Sequence, residues 1–318
     1  MDLQNVKIDW NRILSGQIEN LESMFSAGNQ EREYIRKGYA PIIDMLNENK
    51  TPSRVIINKG TVCAYAFYVL SSKDRNTLYA TVGFLHDEEE NATRSGPLLK
   101  WLSGEAEKNS MRLLLNGIFN EPGNFKEEAL KNGFSVLERI RMELDMERHV
   151  PGKPPAIDGK LQPRNIGRSD IKRLSNLIYD VFSNGDERIM LPESREGMPE
   201  FIEPIENGQF GSIIKEASFS LSENGEEVGA AIFTDGSSEP QNIPLLLFFL
   251  IRSEYRGKGY SRAMLSMGLE RLWAMGRKKA QLWVNINNDA KKLYTQMGLV
   301  ETGDRSSIYY LQPGRQGN

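Results

Sequence analysis

The stretch Ile243–Leu265, IPLLLFFLIRSEYRGKGYSRAML, decides how the rest of the chain is read. Ile243 to Ile251 is almost wholly apolar, the composition of a strand covered on both faces. Arg256-Gly257-Lys258-Gly259-Tyr260-Ser261 follows. Two glycines there let the backbone turn successive N–H groups into one hollow. Leu265, Leu269 and Leu272 then recur at helical spacing. A helix that opens where the glycines end offers free N–H groups and the positive end of its dipole. Arg256, Lys258 and Arg262 add formal positive charge. Strand, turn and helix together predict a cradle for a pyrophosphate. Taken alone, the turn also reads as an ordinary strand-to-helix connection, and it matches neither GxxxxGK[ST] nor GxGxxG.

Working outward, Leu282–Asn285 alternates as a strand and leads into Asn287–Leu299, NNDAKKLYTQMGL. Asn287 reads as a helix N-cap, Ala290, Leu293 and Met297 share one face, and Gly298 ends the helix. The two stretches together resemble the GCN5-related N-acetyltransferases. The first is similar to that family's R/Q-x-x-G-x-G/A loop, with Ser261 where the family has Gly or Ala. The second is similar to its N-x-x-A-x-x-L-Y-x-x-x-G-F signature, with Leu299 for Phe.

The resemblance implies an α/β fold, each domain a mixed, mostly antiparallel sheet flanked by helices. It implies transfer of an acetyl group from acetyl-CoA to an amine by direct attack. On this reading the backbone of Gly257, Lys258, Gly259, Tyr260, Ser261 and Arg262 holds the pyrophosphate, with Arg256 and Asn287 beside it. Phe249, Leu250 and Ile251 take the pantetheine arm as an added strand, and an N–H of Leu250 or Ile251 faces the thioester oxygen. Tyr294 stands where the family keeps the acid that protonates the departing thiolate; in isolation it reads equally as a packing residue. No base is assigned: Glu254 reads as solvent-facing, and Asp235, Glu216 and a water chain all remain open. A non-catalytic acyl-CoA sensor and a transferase of a longer acyl group are the rival readings, and retention of Tyr294 argues against the first.

Acceptor choice is expected in the polar stretch Ser183–Gly211. It carries Asp186, Glu187, Glu193, Glu196, Glu200, Glu203 and Glu206 against Arg188 and Arg195. It reads either as a solvated loop or as an acidic rim for a cationic amine.

The remaining composition narrows the class. The chain has 318 residues, 39% hydrophobic and 26% charged, enough for about two domains of an ordinary soluble protein. A formal net charge of -3 gives no electrostatic case for nucleic acid. Cys63 is the single cysteine, so no internal disulfide forms; it reads as a buried small residue, and the composition suits a cytoplasmic protein. His86 and His149 are far apart and no Cys/His spacing suits a metal. No apolar run has membrane length, and no signal-peptide pattern is present.

Pro151-Gly152-Lys153-Pro154-Pro155 breaks the pattern, which predicts domains at 1–150 and 161–318 with a linker at 151–160. The halves read as a diverged repeat. In one ungapped register Gly133 matches Gly298, Asn120 matches Asn285, and Asn91–Gly96 match Arg256–Ser261. The first copy has Asn91 for Arg256, Arg94 for Gly259, Pro122 for Asn287 and Ala129 for Tyr294. This layout resembles tandem acetyltransferases, mycothiol synthase among them, with one copy that has lost cofactor chemistry.

Overall fold

The computed structural model describes residues 8–24, 29–70, 74, 76–85, 88–157, 159–236 and 243–312. By internal packing the chain forms two units. Of the described residues, the first takes in those of 8–24, 29–137 and 307–312, the second those of 138–306. One division falls between Leu137 and Glu138, and the described residues 151–157 of the proline-rich stretch form no regular element.

The first unit begins with helices α1 (Trp10–Met24) and α2 (Asn29–Asn47). Strands β1 (Ser53–Asn58) and β2 (Thr61–Leu70) form the hairpin that Asn58-Lys59-Gly60 predicts, with Lys59 and Gly60 both at positive φ. Then come β3 (Thr77–Phe84), α3 (Glu88–Asn109), β4 (Arg112–Phe119) and α4 (Phe125–Lys131). The core gathers around Phe84, Leu98, Leu99, Leu102, Phe125 and Ala129. Tyr309 closes it, with its ring 5.1 Å from Phe125 and its hydroxyl donating to Glu121 Oε1 at 2.6 Å.

The second unit takes in most of β5 (Ser135–Asp145), which pairs antiparallel with β10 (Lys279–Asn285). After β5 come β6 (Gln162–Asn165), α5 (Ile171–Phe182), α6 (Met198–Glu206), β7 (Phe219–Glu223), β8 (Glu226–Thr234), β9 (Leu245–Ile251) and α7 (Tyr260–Ala274). Then β10 leads to α8 (Ala290–Gln296) and β11 (Val300–Leu311). One face of this sheet packs on α7 and α8 through Phe233, Leu265, Leu269 and Leu282. The other packs on α5 and α6 through Leu174, Ile178, Ile202, Ile232 and Leu250. The sheet is therefore buried on both sides, which explains the continuous apolar run of β9.

The repeat register carries through the elements. Helix α4 matches α8 at both ends, the starts of β2 and β5 match those of β8 and β11, and α3 ends where α7 ends. The hairpin turns match as well: Asn224 and Gly225 repeat the positive φ angles of Lys59 and Gly60.

Several local readings are corrected. The sequence predicts a final hairpin around Gly303, but β11 is one twelve-residue strand, with Gly303 at φ +91° absorbed inside it. The stretch Ser183–Gly211 is not all loop, because it contains α6 with Pro199 in its first turn. Ser169 reads from the sequence as the N-cap of α5, but Asp170 takes that position and its carboxylate accepts the Gly167 N–H at 2.9 Å. Nor does Asn287 cap α8. Asp289 occupies the cap position, the Asn288 side chain accepts the Ala290 N–H at 2.9 Å, and the Asn287 N–H is bonded to Asn285 Oδ1 at 3.0 Å.

Candidate active site

The second unit's sheet opens at β9 and β10. These parallel strands pair only through Leu245 with Gln281 and Leu246 with Leu282, and beyond that point they part. A register shift between Ile232 and Phe233 leaves Leu247 as the extra residue of β9 at the same level. Such a bulge bends a strand and re-aims the residues beyond it. The result is a cavity of about 870 Å³. Phe249 and Ile251 line one wall, Asn285 and the first turn of α8 the other, and the glycine turn lies at its mouth.

That turn has the predicted conformation. Gly257 and Gly259 sit at φ +75° and +83°, a region that costs any residue with a Cβ. Open space lies over both, since an added Cβ would meet no atom within 4 Å. Gly259 is the N-cap residue of α7, so the free N–H groups of that helix begin here. The turn is braced rather than loose. Arg256 Nε donates to the Ile251 carbonyl at 3.2 Å, and the Arg262 guanidinium donates to the Gln296 side chain. The open backbone hollow with bracing cations fits a pyrophosphate.

Of the residues singled out from sequence, Phe249, Ile251, Arg256, Gly257, Gly259, Ser261, Arg262 and Tyr294 all line this one cavity. Leu250 does not; its side chain is buried on the α5/α6 face, as strand alternation requires. Lys258 lies outside as well, its ammonium 5.2 Å over the Tyr255 ring, and the Tyr260 ring sits 6.4 Å from the same ring. Asn287 is outside the lining.

Tyr294 is 6% exposed, and it packs edge-on to Phe249 at 6.1 Å. Burial first, and the nearby Glu187 charge second, push its phenol above the ordinary value of about 10. It therefore stays protonated at neutral pH. Its hydroxyl makes no hydrogen bond among the described residues, although it lines the cavity.

Sequence reasoning missed two lining residues as individuals. Asp186 and Glu187 stand on the turn that follows α5, and each is tied to the opposite wall. Asn285 Nδ2 donates to Asp186 Oδ2 at 3.0 Å, and Asn288 Nδ2 donates to Glu187 Oε1 at 2.8 Å. The acidic composition of 183–211 was legible, but which carboxylates enter the cavity depends on the fold. Asp235, weighed as a base, accepts the Ser212 N–H at 2.8 Å and is not in the lining; neither are Glu216 and Glu254. Among the described residues no group of His, Cys, Asp or Glu is placed to hold a metal, and no helix is long and apolar enough to cross a membrane.

Two parallel strands that part, a glycine turn at a helix start and a buried tyrosine thus meet at one cavity. Residues 182–299 match the model of the Acetyltransferase (GNAT) family, whose general activity is acyl transfer. The whole chain shares its fold with the GCN5-related N-acetyltransferase from Sphaerobacter thermophilus, at 13% identity, TM-score 0.57, and 97% and 94% coverage of the two chains. It is similarly close to a tandem GNAT protein from the clavulanic acid biosynthesis pathway, at 14% identity, TM-score 0.53, and 98% and 99% coverage. A GCN5-related N-acetyltransferase from Anabaena variabilis gives 11% identity and TM-score 0.53, with 95% and 71% coverage. No curated protein matches the sequence.

Proposed function

We propose that the second unit is an N-acetyltransferase that uses acetyl-CoA as co-substrate and an amine as acceptor, and that the first unit is a degenerate copy. The observation that carries this is the parting of β9 and β10 beside an open glycine cradle, with an unbonded, protonated tyrosine inside. Backbone N–H groups from Gly257 to Arg262 hold the pyrophosphate. The free edge of β9 from Phe249 to Ile251 receives the pantetheine arm. An N–H of Leu250 or Ile251 meets the negative charge that grows on the thioester oxygen. Tyr294 gives its proton to the departing sulfur. Bound acetyl-CoA supplies the activated acyl group; the chain positions it, excludes water and moves protons.

The test is release of free CoA thiol with a broad panel of amines, run with acetyl-, propionyl- and succinyl-CoA. Thiol release that requires an amine and is fastest with acetyl-CoA is expected. Tight acetyl-CoA binding with no thiol release from any amine would instead identify an acyl-CoA-binding scaffold.

A further inference from the structure

Seven carboxylates lie between Ser183 and Gly211, yet only Asp186 and Glu187 reach the cavity. Gly185 makes room for them. A Cβ there would lie 2.9 Å from Glu187 Oε2, so a glycine lets the carboxylate fold back over the turn. The amides of Asn285 and Asn288 fix both carboxylates from the far wall. A neutral amide orients a carboxylate without cancelling its charge, and each carboxylate keeps free acceptor sites.

The surroundings show which charges remain to be matched. Arg139 on β5 faces Glu187, but its guanidinium is held at the Trp283 carbonyl, at 3.3 Å. Arg188 turns away to the carbonyls of Pro192 and Glu193, both at 2.9 Å. Arg256 and Arg262 line the cradle end, and Asp289 beside α8 is already paired with Lys292 Nζ at 2.8 Å. Tyr294 on α8 completes the shell, buried and unbonded in the same cavity.

We propose that Asp186 and Glu187 are the acceptor-recognition pole of this cleft, selecting a positively charged amine and, at Glu187, taking the proton it must lose. The inference rests on the acyl-transfer reading above. An alkylammonium is mostly protonated at neutral pH and is no nucleophile until it gives up a proton. Glu187 takes that proton and later passes it to solvent. The freed nitrogen forms its bond to the thioester carbon, and the carbon–sulfur bond breaks. Sulfur takes the Tyr294 proton, and the second proton shed by nitrogen restores the phenol. Asp186 holds the acceptor's positive charge and does not react.

The experiment compares kcat/KM against pH for spermidine, butylamine and trifluoroethylamine, the last being largely uncharged at neutral pH because its fluorines weaken the base. Wild type should favour the two cations and show an acidic limb with them. Glu187→Gln should lower kcat/KM for spermidine on the order of 10²-fold and remove that limb, while trifluoroethylamine is nearly unaffected. Asp186→Asn should raise KM for spermidine about tenfold with kcat little changed. Gly185→Ala keeps the charge but displaces the carboxylate, and its rate should fall between wild type and Glu187→Gln. Unchanged acetyl-CoA affinity in all three variants certifies the fold. Wild-type rates and an unshifted pH profile for spermidine in Glu187→Gln would overturn this assignment alone. No thiol release by wild type from any amine would overturn it together with the acetyltransferase reading.

Discussion

The two units use one repeat register to opposite ends. In the first, β3 and β4 pair in parallel from Thr77–Arg112 through Gly83–Phe119, closing the sheet along its length. In the second, the corresponding β9 and β10 pair through two residues and then part. The helices differ in the same sense. Helix α7 starts at Tyr260, directly after the glycine turn, whereas α3 starts about two turns earlier in register, at Glu88. Positions 92–96, which match Gly257–Ser261, therefore lie inside a helix whose N–H groups bond to their own carbonyls. Ala129 is fully buried where Tyr294 meets a cavity. The two copies thus differ by a longer helix and a sheet zipped along its length, while α4 and the starts of β2 and β5 keep the register of α8, β8 and β11.

The sharpest way to test the contrast is at the tyrosine. Tyr294→Phe should cut kcat on the order of 10²-fold while leaving acetyl-CoA affinity intact, as for a group that acts mainly in the transition state. An unchanged kcat, with the chemical step shown to limit turnover, would make Tyr294 a packing residue like its counterpart Ala129.

The cradle comes next. Gly259→Asp adds a Cβ at φ +83° and a negative charge in the hollow. Acetyl-CoA affinity should fall at least tenfold, about 1.4 kcal/mol, by calorimetric titration. The mirror change Arg94→Gly should confer no binding on the first unit, because the helix there, not one side chain, occupies the N–H groups.

The same contrast fixes a stoichiometry. Titration of the full chain should reach one acetyl-CoA per chain. A value of two would refute the degenerate first copy, and loss of all binding in Gly259→Asp would place the single site in the second unit.

The smallest effect is an expected constancy. Burial and the Glu187 charge raise the Tyr294 phenol, favouring its neutral form to higher pH than usual. The acid is therefore present below the ordinary value of about 10 and is lost only above it. The kcat profile of wild type should show no tyrosine-dependent decline between about pH 7 and 9, and a limb there that vanishes in Tyr294→Phe would contradict the structure.

By itself the sequence determined most of the elements and named many of the residues that line the cavity. Ile243–Ile251, the two glycines and Leu265–Leu272 specify strand, turn and helix through local rules of burial, φ and periodicity. The paired Gly133 and Gly298, both at positive φ, set the repeat register. Only the tertiary structure decided the rest. Whether two neighbouring strands stay zipped or part depends on pairing between distant residues, which no local pattern encodes. The same holds for the fate of strands and carboxylates. Residues 307–312 pack with the first unit, and most of β5 serves the second. Asp186 and Glu187 differ from the other acidic residues of their stretch in lining the cavity, where Asn285 and Asn288, far along the chain, bond to them. Long-range hydrogen bonds and sheet partners are set when the chain packs, and a one-dimensional reading sees the groups but not their meeting.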